Sequence, residues 1–129
     1  MKEFRNPKNI HEPVAAYAHQ VEVSGQNRWL VMSGQIGKDE NGFLPNDAVE
    51  QLENALDNIV RNLHAATMEV TDLVKLVFYM VGTIDAPKRG EALSKAFKGH
   101  NPCMTLMYVA GLADPSIKVE IDAWACADN

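Results

Sequence analysis

The chain has 129 residues, enough to bury a core without disulfides or metals, and its apolar (47%) and charged (22%) fractions are those of an ordinary globular protein. The net charge is −5 and no Lys/Arg cluster exceeds the pair Lys88-Arg89; the basic footprint that releases counterions from phosphates is missing, which argues against DNA or RNA as the main partner. No run approaches the ~18 apolar residues of a membrane span, and MKEFRNPKNIHEP is too polar for a secretory signal, so no membrane partner and a cytoplasmic location are expected.

Val21-Glu22-Val23 alternates, Ser24-Gly25-Gln26-Asn27 is a turn cluster, and Trp29 to Ser33 reads as a second strand; the two are expected to pair as a hairpin. Lys38 to Asn46 is turn-rich. Asp47 and Glu50 then have the spacing of a capping box. Val49, Leu52, Leu56, Ile59 and Leu63 step by three or four and give the first helix one apolar face. Leu73 to Val81 is a nearly continuous apolar run broken by Lys75, the mark of a strand buried on both faces. Asp85 can cap a second helix with Pro87 in its first turn and Gly99 as its stop; Ala92, Leu93, Ala96 and Phe97 supply its apolar side. Cys103 to Val109 is the next strand. The last, Lys118 to Ala125, alternates Val119, Ile121, Ala123 and Ala125 with Lys118, Glu120, Asp122 and Trp124.

The order is β-β-α-β-α-β-β, an α+β fold, and no linker or repeat divides it, so residues 1–129 are expected to form one domain. Two amphipathic helices cover only one face of such a sheet. Yet the strands at 73–81 and 103–109 are apolar on both faces, so a neighbouring subunit is the economical cover for the second. Cys103, Met107 and Val109 are expected under the helices, and Met104, Leu106 and Tyr108 toward the neighbour.

His11, His19, His64 and His100 have no metal-ligand spacing, and there is no CxxC. Cys103 and Cys126 lie in apolar runs and read as buried reduced thiols. MSGQIG lacks the G-x-S-x-G elbow, and no G-x-G-x-x-G or phosphate loop occurs, so Ser33 reads as a strand-end hydrogen bonder. On periodicity alone Glu120 is a solvated strand-face carboxylate, and Tyr17, among Ala15, Ala16 and Ala18, is packing.

Taken together, several segments resemble the RidA/YjgF family of enamine/imine deaminases, also labelled endoribonuclease L-PSP. They are Tyr17 after Pro13, SGQIG at 33–37, Gln51 with Asn58-Ile59, and Asp72-Leu73-Val74-Lys75. Pro102, Ala110-Gly111-Leu112 and Val119-Glu120-Ile121-Asp122-Ala123 complete the set in register. The resemblance implies a chorismate-mutase-like fold: a mixed sheet with two helices on its outer face, three copies closing into a homotrimeric barrel, and ligand clefts between neighbours. It implies hydrolysis of reactive enamines and imines to a ketoacid and ammonia, with no metal or organic cofactor. Carried onto this chain, Glu120 matches the acid that positions or activates water, and Tyr17 and Ser33 match cleft residues. The cleft-lining asparagine of the second helix falls near Gly90. The carboxylate-binding arginine, two residues after the proline that opens the fifth strand, falls at Met104, and residues 103–111 contain no other arginine. The next cleft position is Leu106.

Met104 and Leu106 would strip water from a substrate carboxylate without pairing it. The first reading is therefore a RidA-like hydrolase whose main substrate, a small imine, enamine or related molecule, is not an ordinary 2-iminoacid. A second is a trimer that binds or senses a small molecule without catalysis. A third, ribonuclease or translation inhibition, is opposed by the acidic charge and by the lack of an apparent His–His or His–Lys pair.

Overall fold

Helix α1 (Ala48–Ala65) begins where Asp47 accepts a hydrogen bond from the Glu50 amide at 3.1 Å, in a computed structural model that describes residues 1–129. The helix buries Leu52, Ala55, Leu56, Ile59 and Leu63 along one side, and each of the leucine and isoleucine side chains contributes roughly 1.5–3 kcal/mol by leaving water. Helix α2 (Ala86–Phe97) is capped by Asp85, which accepts from the Lys88 amide, and ends at Lys98 in the left-handed region. Gly99 follows with a φ of 89°, a value that glycine adopts without a Cβ penalty.

Seven strands accompany the helices: β1 (Lys2–Arg5), β2 (Gln20–Val23), β3 (Asn27–Val31), β4 (Gln35–Ile36), β5 (Leu73–Met80), β6 (Cys103–Tyr108) and β7 (Val119–Asp128). The main sheet runs β3-β7-β5-β6, with β4 also paired to β7. β5 and β6 are parallel and the other pairs antiparallel, so the sheet is mixed. Leu76, Phe78 and Met80 of β5 and Val119, Ile121 and Ala123 of β7 meet both helices in one core.

The expected helices and later strands are present, and two short strands are added. The hairpin is not formed. β2 pairs with β1, and β3 pairs with β7. The β1–β2 ribbon instead caps the end of the sheet where β5 and β6 begin. Lys2 donates to the Cys126 carbonyl and to Asp72, and Phe4 meets the His100 ring edge-on at 5.2 Å. KEFR carries a single apolar residue, so no periodicity marked it as a partner for β2.

The faces of β6 are also the reverse of the expectation. Parallel pairing sets Met104 beside Leu76, Leu106 beside Phe78 and Tyr108 beside Met80. Those β5 residues are core, so Met104, Leu106 and Tyr108 lie on the helix side. Cys103, Thr105 and Met107 lie on the open side with Lys75, Val77 and Tyr79, and Lys75 donates to Thr105 at 2.9 Å. With both faces apolar, Thr105 was the only polar mark on the strand. No helix is long and apolar enough to cross a membrane.

Candidate active site

The parallel β5-α2-β6 crossover leaves a cleft of about 560 Å³ between α2, β6 and the segment before β2. Met104 and Leu106 form its floor with Phe78, Leu93 and Phe97 face them from the core and α2, and Tyr17 closes one side. Tyr17 is held locally. Its amide donates to the Ala15 carbonyl at 3.0 Å, its hydroxyl accepts from the Val14 amide, and its ring meets His19 edge-on. The Ala18 amide donates to the Pro102 carbonyl, which ties this segment to the start of β6. Gly90 leaves the helix wall open, since a Cβ there would meet no atom within 4 Å.

Four of the six expected site residues therefore meet: Tyr17, Gly90, Met104 and Leu106. Ser33 and Glu120 do not join them. Glu120 alternates with core residues Val119 and Ile121 on β7, so it projects to the open face, where it pairs in register with Tyr79 and Ile36. It is two strands from Met104 and on the other side of the sheet. Ser33 is exposed beside Gly34.

The SGQIG stretch is shaped around that carboxylate. A Cβ on Gly34 would come within 2.8 Å of Glu120 Cδ, so the bare glycine just before β4 lets the Glu120 side chain lie in its present position. Gly37 is packed just as tightly on the backbone of Gln51. Asn58 donates to the Ile36 and Lys38 carbonyls, and Asn54 to that of Gly37. Helix α1 thus holds the loop that frames Glu120. On the same open face the Tyr79 hydroxyl donates to Asp122 at 2.8 Å; that bond, with burial and the negative charges of Asp122 and Glu120, raises the Tyr79 pKa.

Sequence reasoning missed Arg89. Its side chain lines the cleft and donates to the Tyr108 hydroxyl at 3.0 Å. Arg89 stands four residues before Leu93 and eight before Phe97, a helical stripe that places it toward the sheet. The structure also forms a histidine pair that the sequence did not show. His11 and His19 meet edge-on with centroids 4.8 Å apart, each with one ring nitrogen on a backbone carbonyl, and neither lines the cleft. Both cysteines are free; Cys126 is buried, and burial raises the Cys103 pKa against the pull of Lys75. No group of three or more His, Cys, Asp or Glu side chains is placed to hold a metal ion.

The family model described as endoribonuclease L-PSP matches residues 8–127. The chain belongs to this family, the RidA/YjgF family. Among its relatives is a 2-iminobutanoate/2-iminopropanoate deaminase of Rattus norvegicus, 31% identical over 114 residues that cover 87% of this chain and 80% of that protein. The crystal structure of a Rid-family protein of unknown function from Yersinia pestis superposes with a TM-score of 0.84 at 28% identity, covering 98% of both chains. That of the Escherichia coli YjgF product superposes at 0.69 and 27% identity, over 87% of this chain and 88% of that one. Two helices on one face of a mixed sheet are therefore the RidA/YjgF architecture in this chain as well.

Proposed function

We propose that this RidA/YjgF protein hydrolyses a small reactive imine or enamine in a cleft completed by a second copy of the chain. The observation that carries the reading is the division of the expected site. Tyr17, Gly90, Met104 and Leu106 line one cleft, while Glu120 faces away from it across the sheet and Ser33 lies outside it. A neighbour laid on the open face would present its own Glu120 to a cleft that, within one copy, has no carboxylate in its walls. The deaminase relatives support the reaction class.

In the proposed reaction, water adds to the imine carbon as the neighbour's Glu120 accepts its proton. That proton passes to the imine nitrogen to give the neutral carbinolamine. Glu120 then takes the hydroxyl proton and hands it to the departing nitrogen as the C–O double bond forms and the C–N bond breaks, so that a carbonyl compound and ammonia leave. An enamine enters the same path after protonation at carbon. A general base of this kind supplies ~10²–10⁴-fold, and the apolar walls of the cleft strengthen its electrostatics by excluding water.

Met104 argues against ordinary 2-iminoacids as the main substrate. A charge-assisted hydrogen bond is worth ~1.5–3 kcal/mol, so a thioether in place of a guanidinium costs ~10–100-fold in affinity for a carboxylate beside the reacting carbon. Ammonia release from a panel of freshly generated imines and enamines tests the proposal. Turnover by the wild type that is lost in Glu120→Gln is expected. A flat panel, with small molecules still bound, would transfer the function to the second reading, a binding or sensing trimer, which the absence of a carboxylate in the single-copy cleft favours. Ribonuclease activity has less support, since the net charge is −5 and no Lys/Arg cluster exceeds the pair Lys88-Arg89.

A further inference from the structure

Arg89 is a cation with an unfinished set of partners. A guanidinium carries five N–H donors in a planar fork. The one side-chain partner of Arg89 is the Tyr108 hydroxyl, a neutral group, and no carboxylate lies within ion-pair distance of it. Yet the residue is partly buried in the wall of a largely apolar cleft. A solvated surface arginine would point outward. This one lies on the stripe of α2 that faces the sheet, ahead of Leu93 and Phe97, which line the same cleft.

Tyr108 fixes its position. Tyr108 is on the helix side of β6, four residues beyond Met104, which is about 13 Å along the strand. The cleft therefore has a long axis with an apolar floor at Met104 and Leu106 and a held positive charge toward the far end of β6. A guanidinium recognises a planar anion by paired hydrogen bonds.

We propose that Arg89 is the anion-binding residue of this cleft and that its ligand is a small amphiphilic carboxylate. Its apolar body lies over Met104 and Leu106 and its carboxylate reaches Arg89 beneath the start of α2. The charge is thereby moved away from the position beside the reacting carbon, which selects acids whose carboxylate is several bonds distant from it. This inference rests on the proposed function for the choice of cleft and not for any turnover. Failure of hydrolysis would appear as a silent ammonia panel, whereas failure of the Arg89 assignment appears in binding.

The test compares 4-phenylbutanoate with its uncharged amide by calorimetry on the assembled full-length protein. The carboxylate is expected to bind at least tenfold more tightly than the amide. Arg89→Met keeps much of the apolar stem and should abolish the preference, with carboxylate and amide bound about equally. In the wild type the preference should also shrink severalfold as salt rises from about 0.05 M to about 0.5 M, a result that needs no variant. Equal affinities in the wild type, no binding of the carboxylate at millimolar concentration, or a preference that survives Arg89→Met would overturn the assignment.

Discussion

Met104 and Arg89 divide between them what a single arginine at position 104 would supply. Met104 contributes contact area without charge, and Arg89 contributes charge from a different element. Restoring the charge at the floor tests this division. Met104→Arg is expected to raise affinity for small 2-ketoacids by ~10–100-fold, the equivalent of one or more charge-assisted hydrogen bonds, measured by calorimetry; an unchanged affinity would mean that the cleft does not present residue 104 to the ligand. The position of Met104 was legible from its distance to Pro102. Its face was not, because Met, Leu and Tyr on one side and Cys, Thr, Met and Val on the other leave periodicity only Thr105 as a polar mark to read. Arg89 was legible in principle from its spacing to Leu93 and Phe97, but a charged residue in a first turn reads as solvated until the partner strand is known.

At the scale of elements, the helices followed their signals closely. Asp47 and Asp85 cap where they were expected to, and the apolar stripes set the buried faces. The β1–β2 ribbon was not legible, because it is held by side chains distant in sequence. Lys2 and Asp72 form a half-buried pair at 2.9 Å. Burial of Asp72 opposes its ionisation, but hydrogen bonds from the Glu69 amide and Lys2 outweigh it and lower its pKa. A lowered folded-state pKa means stability that is complete above the unfolded value of about 3.9 and lost as the pH falls through the folded value. Asp72→Asn is expected to melt earlier than wild type at pH 7, with the difference shrinking as the pH falls below the ordinary carboxylate range and Asp72 takes up its proton; thermal unfolding at pH 7 and in a series of acid buffers checks this.

Gln51 is the other long-range tie. It is fully buried, donates to the Pro45 and Ser116 carbonyls and accepts from the Lys118 amide. The sequence marked it only as part of a family pattern, since its partners come from loops on both sides of the chain. Gln51→Leu leaves three backbone groups without partners and is expected to cost about 3 kcal/mol or more, read as the shift in urea unfolding at fixed protein concentration. A shift below about 1 kcal/mol would mean that water replaces the amide.

Over the whole molecule, the helix-free face is the unfinished surface. Trp29 and Val31 of β3 are 55% and 67% exposed there, and Met107 of β6 is 37% exposed. Fully burying a side chain of this kind yields ~1.5–3 kcal/mol, and covering the exposed part of these three yields a share of that, which favours assembly through this face. The need for a cover was legible in the sequence from strands apolar on both sides. Which residues would meet it was not, because that depended on the register of β6 against β5. Assembly and chemistry are joined in this account, since Glu120 on the open face of one copy is the only proposed acid for the cleft of the next.

Subunit mixing tests that joint claim most directly. Glu120→Gln removes the acid, and Gly90→Trp fills the cleft at a position where a Cβ meets nothing within 4 Å. Each variant alone is expected to be silent toward the imine that the wild type turns over fastest. After the two are unfolded together and reassembled at equal amounts, about a quarter of wild-type ammonia release is expected, because one interface in four then pairs an intact cleft with an intact Glu120. A mixture that assembles into mixed oligomers and stays silent would contradict the joint claim.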